Sequence, residues 1–82
     1  MPRYFFSTAN GERHPDDEGL DLPNHAAARV AAIKYAGAIM ENEPDVLWDG
    51  QSFQVEVTDD RGLILFTIVS IAINAPGGGD GG

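Results

Sequence analysis

Between Ser52 and Ile73 the chain passes from strict alternation to almost unbroken apolarity, and the change predicts two paired β-strands. In the first, Phe53, Val55 and Val57 alternate with Gln54, Glu56 and Thr58, the period of a strand with one buried face. The second, Leu63 to Ile71, is apolar on both faces and so asks for cover on both sides. The turn Asp59-Asp60-Arg61-Gly62 joins them, with Gly62 free to take the left-handed conformation. The register that keeps one face apolar sets Val57 opposite Ile64, Val55 opposite Phe66 and Phe53 opposite Ile68. A one-residue slip would set Glu56 against Phe66.

The first half reads as a second hairpin followed by a helix. Arg3 to Thr8 is a strand with Tyr4 and Phe6 on one face and Phe5 on the other. Asn10-Gly11 is a strong hairpin signal. Glu12 to His14 returns until Pro15, which cannot donate to a ladder and so places this strand at an edge. An acidic loop, Asp16-Asp17-Glu18-Gly19, and then Leu20-Asp21-Leu22 lead into a helix capped by Asn24, with Pro23 as the alternative first residue. Its alanines favour helix as far as about Asn42, where Glu43-Pro44 stops it. Val30, Ile33 and Met40, extended by Ala26, form the expected buried stripe. Gly37 on the same line is the expected point of closest approach to the sheet, and Arg29, Lys34 and Glu41 are expected to face water. Residues 45–51, with Trp48, connect to the last hairpin, and 75–82 form a flexible glycine-rich tail. The expected fold is α+β: β-hairpin, helix, β-hairpin, one domain over 1–74, with one helix packed on one face of an antiparallel sheet. The helical stripe is expected to meet Phe53, Val55, Val57, Ile64, Phe66 and Ile68.

Size sharpens that picture. A chain of 82 residues buries only about 60% of its unfolded surface. It has no cysteine to form a staple, so oligomerisation is the remaining source of extra stability. If Ile64, Phe66 and Ile68 face the helix, then Leu63, Leu65, Val69 and Ile71 face away from it, beside the polar Gln54, Glu56 and Thr58. That apolar stripe is the candidate interface of a two-fold homodimer. Closure of Trp48 and the 45–51 connection over the stripe is the competing solution within one chain.

Five basic residues stand against thirteen acidic ones, for a net charge of −8. This charge disfavours binding to the nucleic-acid backbone, which takes its affinity from Lys and Arg, and docking on anionic membranes, so no nucleic-acid or membrane partner is expected. No signal-like segment and no bilayer-length apolar run is visible, so the expected location is the cytoplasm. No cofactor is expected.

Candidate chemistry is sparse. His14, Asp16, Asp17 and Glu18, with Asp21 nearby, could ligate a divalent cation, although their spacing does not match a calcium loop. The alternative is a solvated turn whose acids sit near a helix N-terminus. Pro2 resembles the amino-terminal proline base of the tautomerase superfamily, which implies that Arg3, Arg13 or Arg29 would hold a substrate carboxylate. The second half of this chain is a hairpin, however, not that family's β-α-β repeat. His25 has no nucleophile at a telling spacing and reads as an exposed residue of the first helical turn. Tyr4, Phe5, Phe6, Phe53 and Phe66 could stack on bases, but without a basic groove they read as core. No residue is assigned a catalytic role.

Four ordered segments carry a resemblance. They are Met1-Pro2-Arg3-Tyr4-Phe5-Phe6, Pro15-Asp16-Asp17-Glu18-Gly19-Leu20-Asp21-Leu22-Pro23, Ala26-Ala27-Ala28-Arg29, and Val55-Glu56-Val57-Thr58-Asp59-Asp60-Arg61-Gly62. Together, over residues 1–36 and 53–69, they resemble a family of small proteins of unknown function common in rhizobia and related alphaproteobacteria. The Trp48 connection and the glycine tail look less typical of it. The resemblance implies a compact α+β domain in a bacterial cytosol and carries over no site. In element order alone the chain is also similar to antitoxin-like domains of the HicB type. The function classes, in order, are a self-associating structural or interaction module, an antitoxin-like or regulatory partner protein, and a small enzyme of tautomerase type.

Labelled DNA and RNA titrated at low salt, where electrostatic attraction is strongest, should show no binding. Micromolar binding that weakens steeply with added salt would contradict the reading of the charge.

Overall fold

The computed structural model describes residues 1–48 and 52–77; residues 49–51 of the connection and 78–82 of the tail lie outside the described residues. The elements are β1 (Arg3–Ala9), β2 (Arg13–His14), β3 (Leu20–Asp21), α1 (His25–Asn42), a 3-10 turn (Pro44–Leu47), β4 (Phe53–Thr58) and β5 (Ile64–Ser70). The sheet is antiparallel, in the order β2-β1-β4-β5, and β3 pairs with the start of β1 on the same side as β2. One helix packs on one face of it, so the fold is α+β as the hydrophobic pattern predicts.

Local chemistry accounts for the boundaries. Gly11 takes φ 94° in the first turn, where Asn10 N–H donates to Glu12 C=O at 3.3 Å. Asn24 caps the helix, its Oδ1 accepting from Ala27 N–H at 2.9 Å. The Glu43 N–H closes the other end on Ile39 C=O at 2.8 Å, and Pro44 then opens the 3-10 turn that carries Val46 into the core. Leu20–Asp21, expected as a lead into the helix, is a short strand on β1, with Arg3 opposite Asp21.

The helix is turned differently from the expectation. Ala28, Ala32 and Ala36 are its buried residues, flanked by the partly buried Ala31, Ile39 and Met40. Val30 and Ile33 are 55% and 62% exposed, and Ala26 is exposed. The cause lies on the sheet. Tyr4, Phe6, Phe53, Val55 and Val57 fill the facing layer with large or branched side chains. Alanines on the helix let it come close and complete the packing without excess volume. Gly37 plays no part in that approach, since a methyl group added there would meet nothing within 4 Å.

The last hairpin also departs from the expected register. Val57 stands opposite Phe66, Val55 opposite Ile68 and Phe53 opposite Ser70, two residues from the expected pairs. From Phe66 onward the same side chains keep the same face, which is why the pattern alone does not separate the two registers. A bulge lies next to Val57 and Thr58, where Thr58 pairs with Ile64 and Leu65 is the extra residue. It re-aims the start of β5: Leu65 packs against the core, while Ile64 is exposed rather than in the core.

Ala32→Leu should therefore cost on the order of 1–3 kcal/mol by overpacking, and Ile33→Ala less than about 0.5 kcal/mol, both read by urea unfolding of dilute protein. The reverse ranking would restore the Val30–Ile33–Met40 stripe.

Candidate functional site

β1 has an uneven outer edge. β3 pairs with residues 3 and 4 and β2 with residues 8 and 9, so no strand covers the stretch between them. The acidic loop fills this gap. Phe6 N–H donates to Asp16 Oδ2 at 3.0 Å, and the Asp16 N–H donates to Ser7 Oγ at 3.2 Å. Asp16 Oδ1 accepts from Glu18 N–H at 2.9 Å and from Gly19 N–H at 3.1 Å. One carboxylate thus replaces a strand edge and closes its own turn. Partial burial pushes its pKa up. The N–H groups of Phe6, Glu18 and Gly19, with the charge of Arg3, outweigh that and hold it below the ordinary carboxylate value.

Arg3 ties down the rest of the loop, with Nε on Glu18 C=O at 2.8 Å and Nη1 on Asp21 Oδ1 at 2.9 Å. Gly19 has φ +73°, and a Cβ there would lie 2.9 Å from the Tyr4 carbonyl oxygen and 2.9 Å from the Phe5 ring. Glycine is the residue that fits.

The sequence-predicted metal ligands are not brought together. Asp16 is committed to backbone donors, Asp17 and Glu18 are exposed, and exposed His14 reaches only Glu12, at 4.0 Å. Among the described residues, no group of three or more His, Cys, Asp or Glu side chains is arranged to hold a metal ion. The small recess beside the loop, about 280 Å³, is lined by Phe6, Gly19, Leu20, Ala31 and Tyr35 along with Asp16 and Glu18. Tyr35 meets the Phe6 ring edge-on at 6.5 Å there.

Pro2 borders a second recess, about 410 Å³, with Tyr4, His25, Asp60, Leu63 and Leu65 among its walls. Its two cations are engaged already, Arg3 by Asp21 and Arg61 by Asp59 at 2.8 Å. His25 packs edge-on against Tyr4 with ring centroids 5.7 Å apart. Asp59 organises the last turn as Asp16 organises the first loop. It accepts from Arg61 N–H at 2.8 Å and Leu63 N–H at 3.0 Å. The Arg61 side chain chiefly, with those N–H groups, lowers its pKa.

The aromatic set divides between layers. Tyr4, Phe6 and Phe53 are in the core and Phe66 packs against it, whereas Phe5 lies on the other face of the sheet. Of the residues expected at an interface, Leu63, Val69 and Ile71 are exposed, but Leu65 is turned toward the core by the bulge. Trp48 lines a recess with Leu47, Ser52, Ile71, Ala72 and Ile73, and Val69 remains uncovered at 58% exposure. No described helix is long and apolar enough to cross a membrane.

The chain belongs to the family described as Domain of unknown function (DUF6894), whose model matches residues 3–72, a span that takes in the Trp48 connection and all but Met1 and Pro2 of the four resembling segments. No curated protein and no solved structure matches it.

Gly19→Ala should cost about 1–3 kcal/mol in urea unfolding, from the left-handed backbone and the contact with Tyr4. Asp16→Asn should be less stable than the parent at pH 7. Because the folded-state pKa of Asp16 is depressed, its contribution is complete above the unfolded value of about 3.9 and is lost as the pH falls from there through the folded value. The difference between parent and variant should therefore shrink as the pH falls below the ordinary carboxylate value. A difference independent of pH would mean that the carboxylate charge does not hold the loop.

Proposed function

We propose that the protein is a small, non-enzymatic interaction module of the bacterial cytoplasm that self-associates as a homodimer and presents its surface to a further protein partner. The observation that carries this reading is the run of exposed apolar residues along and beyond β5: Leu63, Ile64, Val69, Ile71 and Ile73. On a chain of net charge −8, the sequence from Gly62 to Gly79 holds no charged residue. An uncharged apolar strip on an otherwise acidic surface favours contact with a like strip, where no carboxylates are forced together. The polar clusters support the same reading, because Asp16, Asp59, Arg3 and Arg61 are spent on holding loops.

Sedimentation equilibrium at tens of micromolar should report a mass near twice 8.8 kDa. Val69→Glu, which sets a charge beside the uncharged strand in both copies, should shift the equilibrium toward the single-chain mass with the circular dichroism of the folded protein intact. A parent protein that stays monomeric up to millimolar concentration would overturn the reading.

A further inference from the structure

The two edges of the sheet are built differently. On the β1 side the edge consists of two-residue strands, carries Arg13, His14 and Asp21, and ends at Pro15. These are the devices by which natural sheets avoid pairing with other chains. On the opposite side β5 runs for seven residues, Ile64-Leu65-Phe66-Thr67-Ile68-Val69-Ser70, with no charge, proline or glycine. β5 pairs only with β4 among the described strands, so half of its backbone N–H and C=O groups point outward. Its one irregularity, the bulge at Leu65, leaves Phe66 to Ser70 regular.

The helix leaves a matching strip open. Tyr35 reaches Phe6, so that flank of α1 lies toward β1. Ile33 and Met40 lie on the other flank, toward β5, with Val30 and Gly37 beside them at helical spacing. Below them Phe66 and Ile68 face the helix layer and are only half-buried. One free edge therefore has an uncharged strand as its floor and an apolar helix flank as its wall.

We propose that a second copy of this chain occupies that edge, its β5 adding antiparallel to β5 so that the two sheets become one. This rests on the self-association reading and specifies how it happens. A two-fold axis normal to the sheet places both helices on the same face, antiparallel, with their Ile33–Met40 flanks toward each other across the joined strands. Each helix then directs Arg29 toward the end of its partner that carries Glu41 and Glu43, so unlike charges meet. Thr67, midway along β5, is its own natural partner at the axis. Packing through the outer sheet face, which carries the exposed Val69, is the poorer alternative. There Arg13 pairs with Glu56 at 3.0 Å beside Gln54 and Thr67, and burying such a pair is costly. The edge and helix flank together form a strip about 23 Å long and about 20 Å tall, roughly 450 Å² per copy, from strand rise and layer spacing. The two copies together would bury about 900 Å², below the range of stable specific interfaces and within that of weak ones, which fits a dimer formed at micromolar rather than nanomolar concentration.

Amide hydrogen exchange of the parent, followed by NMR from low to high concentration, tests this directly. The outward amides of Phe66–Ser70 should gain protection in step with dimer formation. Ile33→Glu, which leaves the core alanines in place, should weaken the dimer roughly tenfold or more as like charges meet at the axis. A dimer whose outward β5 amides exchange as fast as in the monomer, or one indifferent to Ile33→Glu, would overturn the edge pairing and leave the self-association reading standing. A protein monomeric throughout would overturn both.

Discussion

The seam between the alanine face of α1 and the crowded face of the sheet sets the rest of the structure. Ala28, Ala32 and Ala36 are almost completely buried against a layer that holds Tyr4, Phe6, Phe53, Val55 and Val57. With so much volume contributed by the strands, the helix can pack only through small residues. Its larger apolar residues, Val30 and Ile33, are therefore displaced to the surface. The helix backbone runs closest to β4 and β5, and the large β1 side chains Tyr4 and Phe6 fill the space under its other flank, while Phe66 and Ile68 of the edge strand receive only partial cover. The exposed helix flank and the half-covered strand are two results of the same packing.

Much of this is legible from residue pattern. The alternation of Phe53, Val55 and Val57, the Asn24 cap, the Glu43-Pro44 stop and the Asn10-Gly11 turn each locate an element within a residue or two, because each rests on local sterics or hydrogen bonding. The helix orientation is not legible in that way. Two apolar stripes share α1, Ala28-Ala32-Ala36 and Val30-Ile33-Met40, and hydropathy alone ranks the larger residues first. The choice is made by volume on the facing sheet, which is a tertiary quantity. The fourfold spacing of the alanines, opposite strands rich in aromatic and branched residues, was the available signal. The register of the last hairpin fails for a related reason: a shift of two preserves every face.

The acidic loop shows how the same residues can read as chemistry or as architecture. In sequence, Asp16, Asp17 and Glu18 beside His14 suggest ligands. In the fold, Asp16 occupies the gap between β2 and β3 on the edge of β1, where it accepts the Phe6 N–H that neither short strand reaches. Gly19 is fixed by the same closure. No local pattern announces this, because the gap exists only once β3 has paired with β1. The loop blunts one edge of the sheet, in contrast with the plain edge at β5.

The orientation of α1 is the claim on which the rest depends, and methyl-resolved nuclear Overhauser spectroscopy of dilute, monomeric protein measures it most directly. The Ala32 methyl should show cross-peaks to core residues such as Val55 and Val57, while the Ile33 methyls show none to these strands. Cross-peaks from Ile33 to Val55 or Val57, with Ala32 silent, would contradict the account: the helix would be turned with its large stripe inward, and no apolar flank would remain beside β5.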